Sequence, residues 1–161
     1  MIHVAITKKE AFRIIGVKTW IPGTDNQAFA EFWQASQRNG TIERITPYRK
    51  ATDGITNSNM IGLSCTENNP TVREFFFFIG VETEQHEPVA NLEMHDIDSY
   101  TWAIFSTEGS DIHALMACEM HAWKEWLPKN GEYCHDHGPE MEVYLPTNRI
   151  EYWIPIRKIQ D

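Results

Sequence analysis

The same order of apolar runs and turn signals occurs twice along the chain, and this repeat restricts the possible folds more than any other feature. The order is strand, strand, helix, strand, strand, and the second copy follows the first at a spacing of about 80 residues. The first copy predicts a helix at about residues 25–38 and strands at residues 2–6, 12–20, 60–65 and 74–81. The second copy predicts a helix between Gly109-Ser110 and Leu127-Pro128, and strands at residues 91–97, 100–106, 140–145 and 151–156.

Two copies of such a unit can pair about a pseudo-twofold axis. We therefore predict an α+β fold of duplicated β-β-α-β half-domains, with one antiparallel sheet, two packed helices and a central cleft at the axis. Residues 1–161 are expected to form a single domain, with pseudo-repeats at about 1–86 and 87–161. The alternative is two unrelated halves of similar periodicity within one α+β domain.

Two local signals refine this prediction. Thr24, followed three residues later by Gln27, forms a capping box that begins the first helix, and Asn39-Gly40 ends it. The run of four phenylalanines at residues 75–78 lies in a predicted strand, where alternate side chains point to opposite faces. Both faces of that strand must therefore be covered by other parts of the protein.

Charge and composition exclude several classes of partner. The chain carries 14 Lys and Arg against 23 Asp and Glu, a net charge of −9, which argues against direct binding of nucleic acid. No apolar run is long enough to span a membrane, and Lys8, Lys9 and Glu10 lie where a signal peptide would be apolar. We expect a cytoplasmic protein whose partners are cationic or neutral.

The cysteines and histidines do not form a recognisable metal motif. Three cysteines at unequal spacing fit isolated thiols better than a disulfide framework. His113 lies five residues before Cys118, so the two are on different helix faces, and Cys134-His135-Asp136-His137 matches no standard ligand spacing. We expect no metal and no cofactor, and interpret the second cluster as a solvated loop.

The second half of the chain resembles a known family. Its motif is a helix that ends in W-x-x-W-L-P, then a turn with glycine, then E-x-Y and a last strand that ends in P-I; the matching residues are Trp123, Trp126, Leu127, Pro128, Gly131, Glu142, Tyr144, Pro155 and Ile156. With the opening strand at Gly16-Val17, the chain resembles the GyrI-like small-molecule-binding domain, also called the AraC-type effector-binding domain, over about residues 4–159. It is similar to the stand-alone form, which includes drug-binding proteins encoded on integron cassettes.

The resemblance implies a site for amphipathic, often cationic aromatic compounds. It implies a buried glutamate that faces the positive charge of the ligand, and by position this glutamate is Glu142. The neighbouring residues are consistent with this assignment, because Glu142 lies between Met141 and Val143 in a strand otherwise suited to a core, with Tyr144 on the same face. The alternative is an edge-strand glutamate in solvent. Residues 130–133 read N-G-E-Y where many relatives have S-G-Y-E, so the chain departs from the family pattern at this turn.

Aromatic side chains provide the other candidate ligand contacts. An aromatic face attracts a cation by roughly 0.5–2 kcal/mol. Trp20 and Trp102 are predicted to lie on opposite sides of the cleft, although a core position is equally compatible with each. Two of the four phenylalanines are candidates for the cleft floor. The predicted ligand-binding set is Glu142, Trp102, Trp20, Tyr144, Tyr152 and Phe76.

The predicted function is therefore a stand-alone protein that binds a small cationic or amphipathic molecule, with a regulator protein as a possible partner and an undetermined oligomeric state. Two alternatives remain open. Glu142 and Tyr144 can act as an acid/base pair, and some relatives are hydrolases of strained electrophiles. The family also takes its name from a DNA gyrase inhibitor, so a protein-binding inhibitor is the third class.

Overall fold

The computed structural model describes residues 1–22, 26–50, 60–66 and 74–159. Within these residues nine strands form one antiparallel sheet, and the helices pack on one face of it. The strands are β1 His3–Lys9, β2 Phe12–Ile21, β3 Met60–Ser64, β4 Phe75–Thr83, β5 Glu93–Ile97, β6 Tyr100–Glu108, β7 Tyr133–His135, β8 Glu140–Leu145 and β9 Arg149–Lys158. The helical segments are α1 Asn26–Arg38, α2 Thr41–Ile45, a 3-10 turn Thr46–Tyr48, α3 Ile112–Met120, a π-helical turn His121–Trp126 and α4 Leu127–Lys129.

The strand order is symmetric about the centre of the sheet. It runs β1-β6-β9-β8-β3-β4-β2-β5, and β7 pairs with the end of β9. The central pair is β3 and β8, and the first strand of each half pairs in the other half, β1 with β6 and β5 with β2. The predicted α+β fold with an antiparallel sheet is confirmed.

One face of the sheet carries the helices. α1 lies over β2 and β4, where Phe29, Phe32 and Trp33 pack against a buried cluster that includes Phe77. α3 lies over β6 and β9, where Ala114, Leu115 and Cys118 pack on strand residues such as Ile154. The two helices therefore rest on opposite halves of the sheet, and the central pair β3 and β8 lies between them.

The other face packs against itself. Ile14 from β2, Trp102 from β6 and Met141 from β8 belong to one buried cluster, although β2 and β6 lie near opposite ends of the strand order. The sheet must therefore curve until its two ends meet. An ion pair of 3.2 Å between Lys9 Nζ at the end of β1 and the buried carboxylate of Glu82 on β4 joins the ends.

The phenylalanine run behaves largely as predicted. Phe75 and Phe77 face α1, and Phe78 is buried on the opposite face. Phe76 shares the face of Phe78 but lies at the rim, half-exposed, against Trp20. Side chains alternate between the two faces of a strand, which accounts for this division. Phe76 is more exposed than the other three because it lies at the edge of the curved sheet.

Other local predictions differ from the structure. α2, the 3-10 turn and β7 lie in segments that the sequence pattern marks as irregular or loop. The side chain of Asp111, rather than Gly109-Ser110, caps α3 by accepting a hydrogen bond of 2.9 Å from the Ala114 amide. The helical path continues past Pro128 to Lys129, since proline is tolerated in the first turn of the short α4. The proposed cap at Thr24 lies outside the described residues. No helix in the described ranges is both long and apolar enough to cross a membrane.

Candidate functional site

The candidate site lies on β8, where the sheet passes between α1 and α3. Met141 and Val143 point into the core of the curved face, so Glu142 and Tyr144 face the helices. Glu142 is opposite Gly62 on β3 and Tyr152 on β9. The structure thus places this carboxylate at the middle of the sheet, beside the symmetry axis of the strand order.

The carboxylate of Glu142 accepts hydrogen bonds from a donor on α1 and from one on its own strand. The indole N–H of Trp33 on α1 donates a hydrogen bond of 3.2 Å to Oε1. The hydroxyl of Tyr144 is a second hydrogen-bond partner of the carboxyl group. The rings of Trp33 and Tyr144 pack edge to face with centroids 5.2 Å apart. The two donors and their rings form an aromatic enclosure on the side of the glutamate that faces α1.

Gly62 provides the space for this side chain. A Cβ atom at position 62 would lie 2.6 Å from Cγ of Glu142 and 2.7 Å from the ring of Phe77. Both distances are far below van der Waals contact, so Glu142 extends directly over the backbone of β3. Glycine is required here for close approach, not for backbone conformation.

The position of Glu142 changes its acidity. Burial raises its pKa from about 4.5 to about 7, and the negative charge of Glu119 on α3 acts in the same direction, while the hydrogen bonds from Trp33 and Tyr144 lower it. Burial also raises the pKa of Tyr144, and the neighbouring Glu142 charge adds to that effect. At neutral pH the site therefore holds one carboxylate close to its midpoint and a neutral tyrosine.

The second half of the chain supplies the other side of the site. The indole N–H of Trp123 donates a hydrogen bond of 2.9 Å to the Tyr152 hydroxyl. Burial raises the pKa of Tyr152 well above its usual 10, and the charge of Glu140 adds to this. Met116 lies three residues before Glu119 and seven before Trp123, so the three share a helix face, and both Met116 and Trp123 are exposed. This face is an apolar wall with a carboxylate in it.

The structure brings three of the predicted ligand-binding residues together. Glu142, Tyr144 and Tyr152 lie on the helix-bearing face of β8 and β9. It does not bring Trp102, Trp20 and Phe76 to them, since all three side chains lie on the opposite face of the sheet.

The expectation that Trp20 and Trp102 flank the cleft is corrected by this placement. Trp102 is fully buried, with its ring 5.7 Å from that of Trp153. Trp20 is 48% exposed and contacts Phe76 at the rim. Side chains alternate between the two faces of a strand, so Trp20 shares a face with every second residue of β2, and Phe76, which pairs with it on β4, lies on the same face. This face is the one opposite to Glu142.

Sequence reasoning missed three residues of the site. Trp33 is absent from the predicted ligand-binding set, because nothing in its spacing indicates a polar partner on β8. Gly62 carries a signal, because a glycine inside a strand often marks a close approach. Glu119 lies beside Cys118 in a mostly apolar helix, and nothing in the sequence indicates that its charge acts on Glu142. Within the described part of the chain, no three His, Cys, Asp or Glu side chains converge as a metal site.

Comparison with known proteins defines the class of the protein. The family model for the GyrI-like small molecule binding domain matches residues 3–157. The chain belongs to this family. No curated protein sequence matches it significantly.

Solved structures of the same fold include a protein with a bound cation. The structure of SAV2435 bound to tetraphenylphosphonium is similar with a TM-score of 0.80 at 16% identity, covering 96% of this chain and 94% of that one. The integron cassette protein VCH_CASS2 of Vibrio cholerae has a TM-score of 0.70 at 14% identity, covering 96% and 95%. A hydrolase from Listeria innocua has a TM-score of 0.54 at 10% identity, covering 96% and 91%. At these identities the likeness shows the fold alone.

Proposed function

We propose that this protein binds cationic, amphipathic aromatic compounds between α1 and α3, with Glu142 as the group that selects for positive charge. The family is one of small-molecule binding domains, which supports a small-molecule ligand. A structural neighbour holds tetraphenylphosphonium, a cation surrounded by aromatic rings. The single observation that carries the proposal is the half-buried carboxylate of Glu142 enclosed by aromatic side chains.

The charge selectivity follows from the surroundings of Glu142. An ionised carboxyl group in an apolar site is unfavourable, and its pKa near 7 expresses that penalty. A cation placed beside it removes the penalty and gains a Coulomb attraction that is stronger than in water. A neutral ligand of equal size gains only the burial of its apolar surface.

The shape selectivity follows from the walls. Trp33 and Tyr144 present aromatic rings on the α1 side, and Trp123 presents one on the α3 side. Met116 and Met120 are exposed on α3, and Met116 shares the helix face of Glu119 and Trp123. Methionine side chains adapt to ligands of different outline, and aromatic rings attract cations. This combination favours a range of bulky aromatic cations over one specific metabolite.

The experiment that tests the proposal is a tryptophan fluorescence titration with two matched compounds. Tetraphenylphosphonium is the cation, and triphenylphosphine oxide, which carries three phenyl rings on phosphorus instead of four, is the neutral control. We expect saturable quenching at pH 8, with affinity for the cation at least tenfold above that for the oxide. In Glu142→Gln the cation should lose at least tenfold, while the oxide should change by less than twofold.

The matched control is Glu108→Gln, which removes an exposed carboxylate from the end of β6. It should bind both compounds as the wild-type protein does. Equal losses of the cation and the oxide in Glu142→Gln would contradict the role given to the charge. Absence of binding of either compound to the wild-type protein would contradict the proposed ligand class.

Hydrolysis is a second candidate function, and one observation favours it. Glu142 has a pKa of about 7 and lies in hydrogen-bond contact with Tyr144, which is a suitable arrangement for general acid/base catalysis near neutral pH. Incubation with a strained electrophile such as an aromatic epoxide, followed by chromatography, distinguishes the two. A binding protein returns the compound unchanged, and a hydrolase yields the diol at a rate that Glu142→Gln abolishes.

A further inference from the structure

Gly62 and Glu142 occupy equivalent places in the two halves of the sheet. β3 and β8 form the central antiparallel pair, and these two residues are directly opposite each other in its register. A symmetric sequence would put the same side chain at both positions. Two carboxylates there would face each other at the separation of a cross-strand pair, where like charges are destabilising.

The Glu142 side chain uses the space that this asymmetry creates. Its Cγ lies 2.6 Å from where a Cβ atom at position 62 would be, and the ring of Phe77 lies 2.7 Å from the same point. Glu142 therefore leans across the axis, away from its own half of the chain. It reaches the first half, where it meets α1.

Trp33 fixes the end of the side chain in that place. Its indole N–H donates to Oε1 at 3.2 Å, while its ring packs against Phe77 with centroids 6.4 Å apart and against Tyr144 at 5.2 Å. The ring is thus held on two sides independently of its hydrogen bond. A donor fixed in this way defines where the carboxylate oxygen rests.

We propose that Gly62 and Trp33 are the positioning residues of this site, Gly62 by leaving the space into which the Glu142 side chain extends and Trp33 by holding its carboxylate there with the indole N–H. The inference rests on the proposed function for its ligand, but the position of the carboxylate is tested without any ligand. Several titratable groups act on Glu142 or pair with it: Tyr144 on its own strand, Tyr152 on β9 and Glu119 on α3. The tyrosines stay neutral in the range tested.

Replacement of Trp33 and replacement of Gly62 should shift the pKa of Glu142 in opposite directions. In Trp33→Phe a smaller aromatic ring replaces the indole and the N–H donor is lost, so the charged form of Glu142 loses a hydrogen bond and its pKa should rise by about one unit. In Gly62→Ala the new methyl group displaces the carboxyl group from its buried position, so the pKa should fall by at least one unit toward its ordinary value. A merely structural role for either residue would not move the titration in these directions.

The measurement is carbon-13 NMR of glutamate carboxyl groups as a function of pH, with Glu142→Gln used to assign the signal. Gly131→Ala is the matched control, because a Cβ atom at position 131 meets nothing within 4 Å. Trp20→Phe is the control for loss of an indole. Both controls should leave the Glu142 midpoint unchanged. If Gly62→Ala does not fold, Trp33→Phe alone decides the question, and an unchanged or lowered midpoint in it overturns the inference.

Binding of tetraphenylphosphonium provides the second measurement. At pH 7 we expect Trp33→Phe to weaken binding about fivefold, because its ionised fraction of Glu142 is that much smaller, and to recover most of that loss at pH 9, since Glu142 is then ionised in both proteins. Gly62→Ala should weaken the cation at least tenfold at both pH values, with the neutral oxide unchanged. A loss in Trp33→Phe that is the same at pH 7 and pH 9, or an equal loss of the cation and the oxide in Gly62→Ala, would overturn the positioning role. If the wild-type protein does not bind the cation, the proposed function fails, and the NMR titration still decides the inference.

Discussion

Replacement of Glu142 by glutamine is expected to stabilise the protein at alkaline pH and to leave it nearly unchanged in acid. The reason is the raised pKa of this carboxyl group, about 7 in the folded protein against about 4.5 ordinarily. Between these values the folded chain binds a proton that the unfolded chain has lost, so stability falls as pH rises through this window. Above pH 7 the whole penalty is present.

The size of the effect follows from the shift. One pKa unit corresponds to about 1.4 kcal/mol, so a shift from about 4.5 to about 7 costs roughly 3 kcal/mol of unfolding free energy at pH 8. Glutamine has the shape of the protonated acid and does not titrate. The advantage of Glu142→Gln over the wild-type protein should therefore grow by about 3 kcal/mol between pH 4.5 and pH 8, or roughly 10 °C in melting temperature for a domain of this size.

Urea unfolding followed by tryptophan fluorescence, at pH 4.5, 6, 7 and 8, measures this difference. Glu108→Gln on the surface should run parallel to the wild-type protein throughout. The reasoning is refuted if the difference between Glu142→Gln and wild type is the same at pH 4.5 and pH 8, or if the variant is the less stable protein at pH 8. Such a result would mean that the carboxyl group is well solvated.

Three further predictions concern other parts of the site and sheet. Affinity for tetraphenylphosphonium should fall about tenfold for each pH unit below 7, because the cation requires ionised Glu142, and calorimetry in two buffers should show the released proton. Trp123→Phe removes the 2.9 Å hydrogen bond to Tyr152 and should lower the free energy of unfolding in urea by about 1 kcal/mol. An unchanged free energy of unfolding would contradict this hydrogen bond. Gly16→Ala should lose at least about 3 kcal/mol or fail to fold, because its Cβ atom would lie 2.7 Å from the Gly80 backbone; wild-type stability would contradict the register of β2 and β4.

The sequence was informative about the elements and much less so about which of their residues meet. Strand positions follow from alternation and turn residues, so β8 was predicted with the bounds that the structure shows. The same alternation fixes which residues of one strand share a face, and this correctly groups Glu142 with Tyr144. It does not say which face of β2 or β6 corresponds to that face of β8. Pseudo-symmetry predicts Trp20 and Trp102 on opposite sides of the cleft, but the register puts both side chains on the face of the sheet opposite to Glu142.

The sequence pattern could not predict contacts between distant segments, for a different reason. Trp33 and Glu142 are 109 residues apart, and their hydrogen bond depends on the angle at which α1 crosses the sheet. That angle results from the packing of Phe29 and Phe32 on β4, a property of complementary shapes that periodicity does not encode. Gly62 was the one local sign, since glycine inside a strand indicates a close approach, although it does not name the group that approaches.

The asymmetry at the centre of the sheet connects the architecture with the proposed selectivity. A fold of two equivalent halves brings equivalent positions of β3 and β8 together at its axis, where a pair of glutamates would repel and a pair of glycines would leave no charge. One glutamate opposite one glycine gives a single negative group with room to lie beneath the aromatic rings of Trp33 and Tyr144. This charge costs roughly 3 kcal/mol of unfolding free energy at alkaline pH, and in the proposed function a bound cation would recover part of that cost. The empty protein should therefore be least stable at the pH values at which the site selects most strongly for cations.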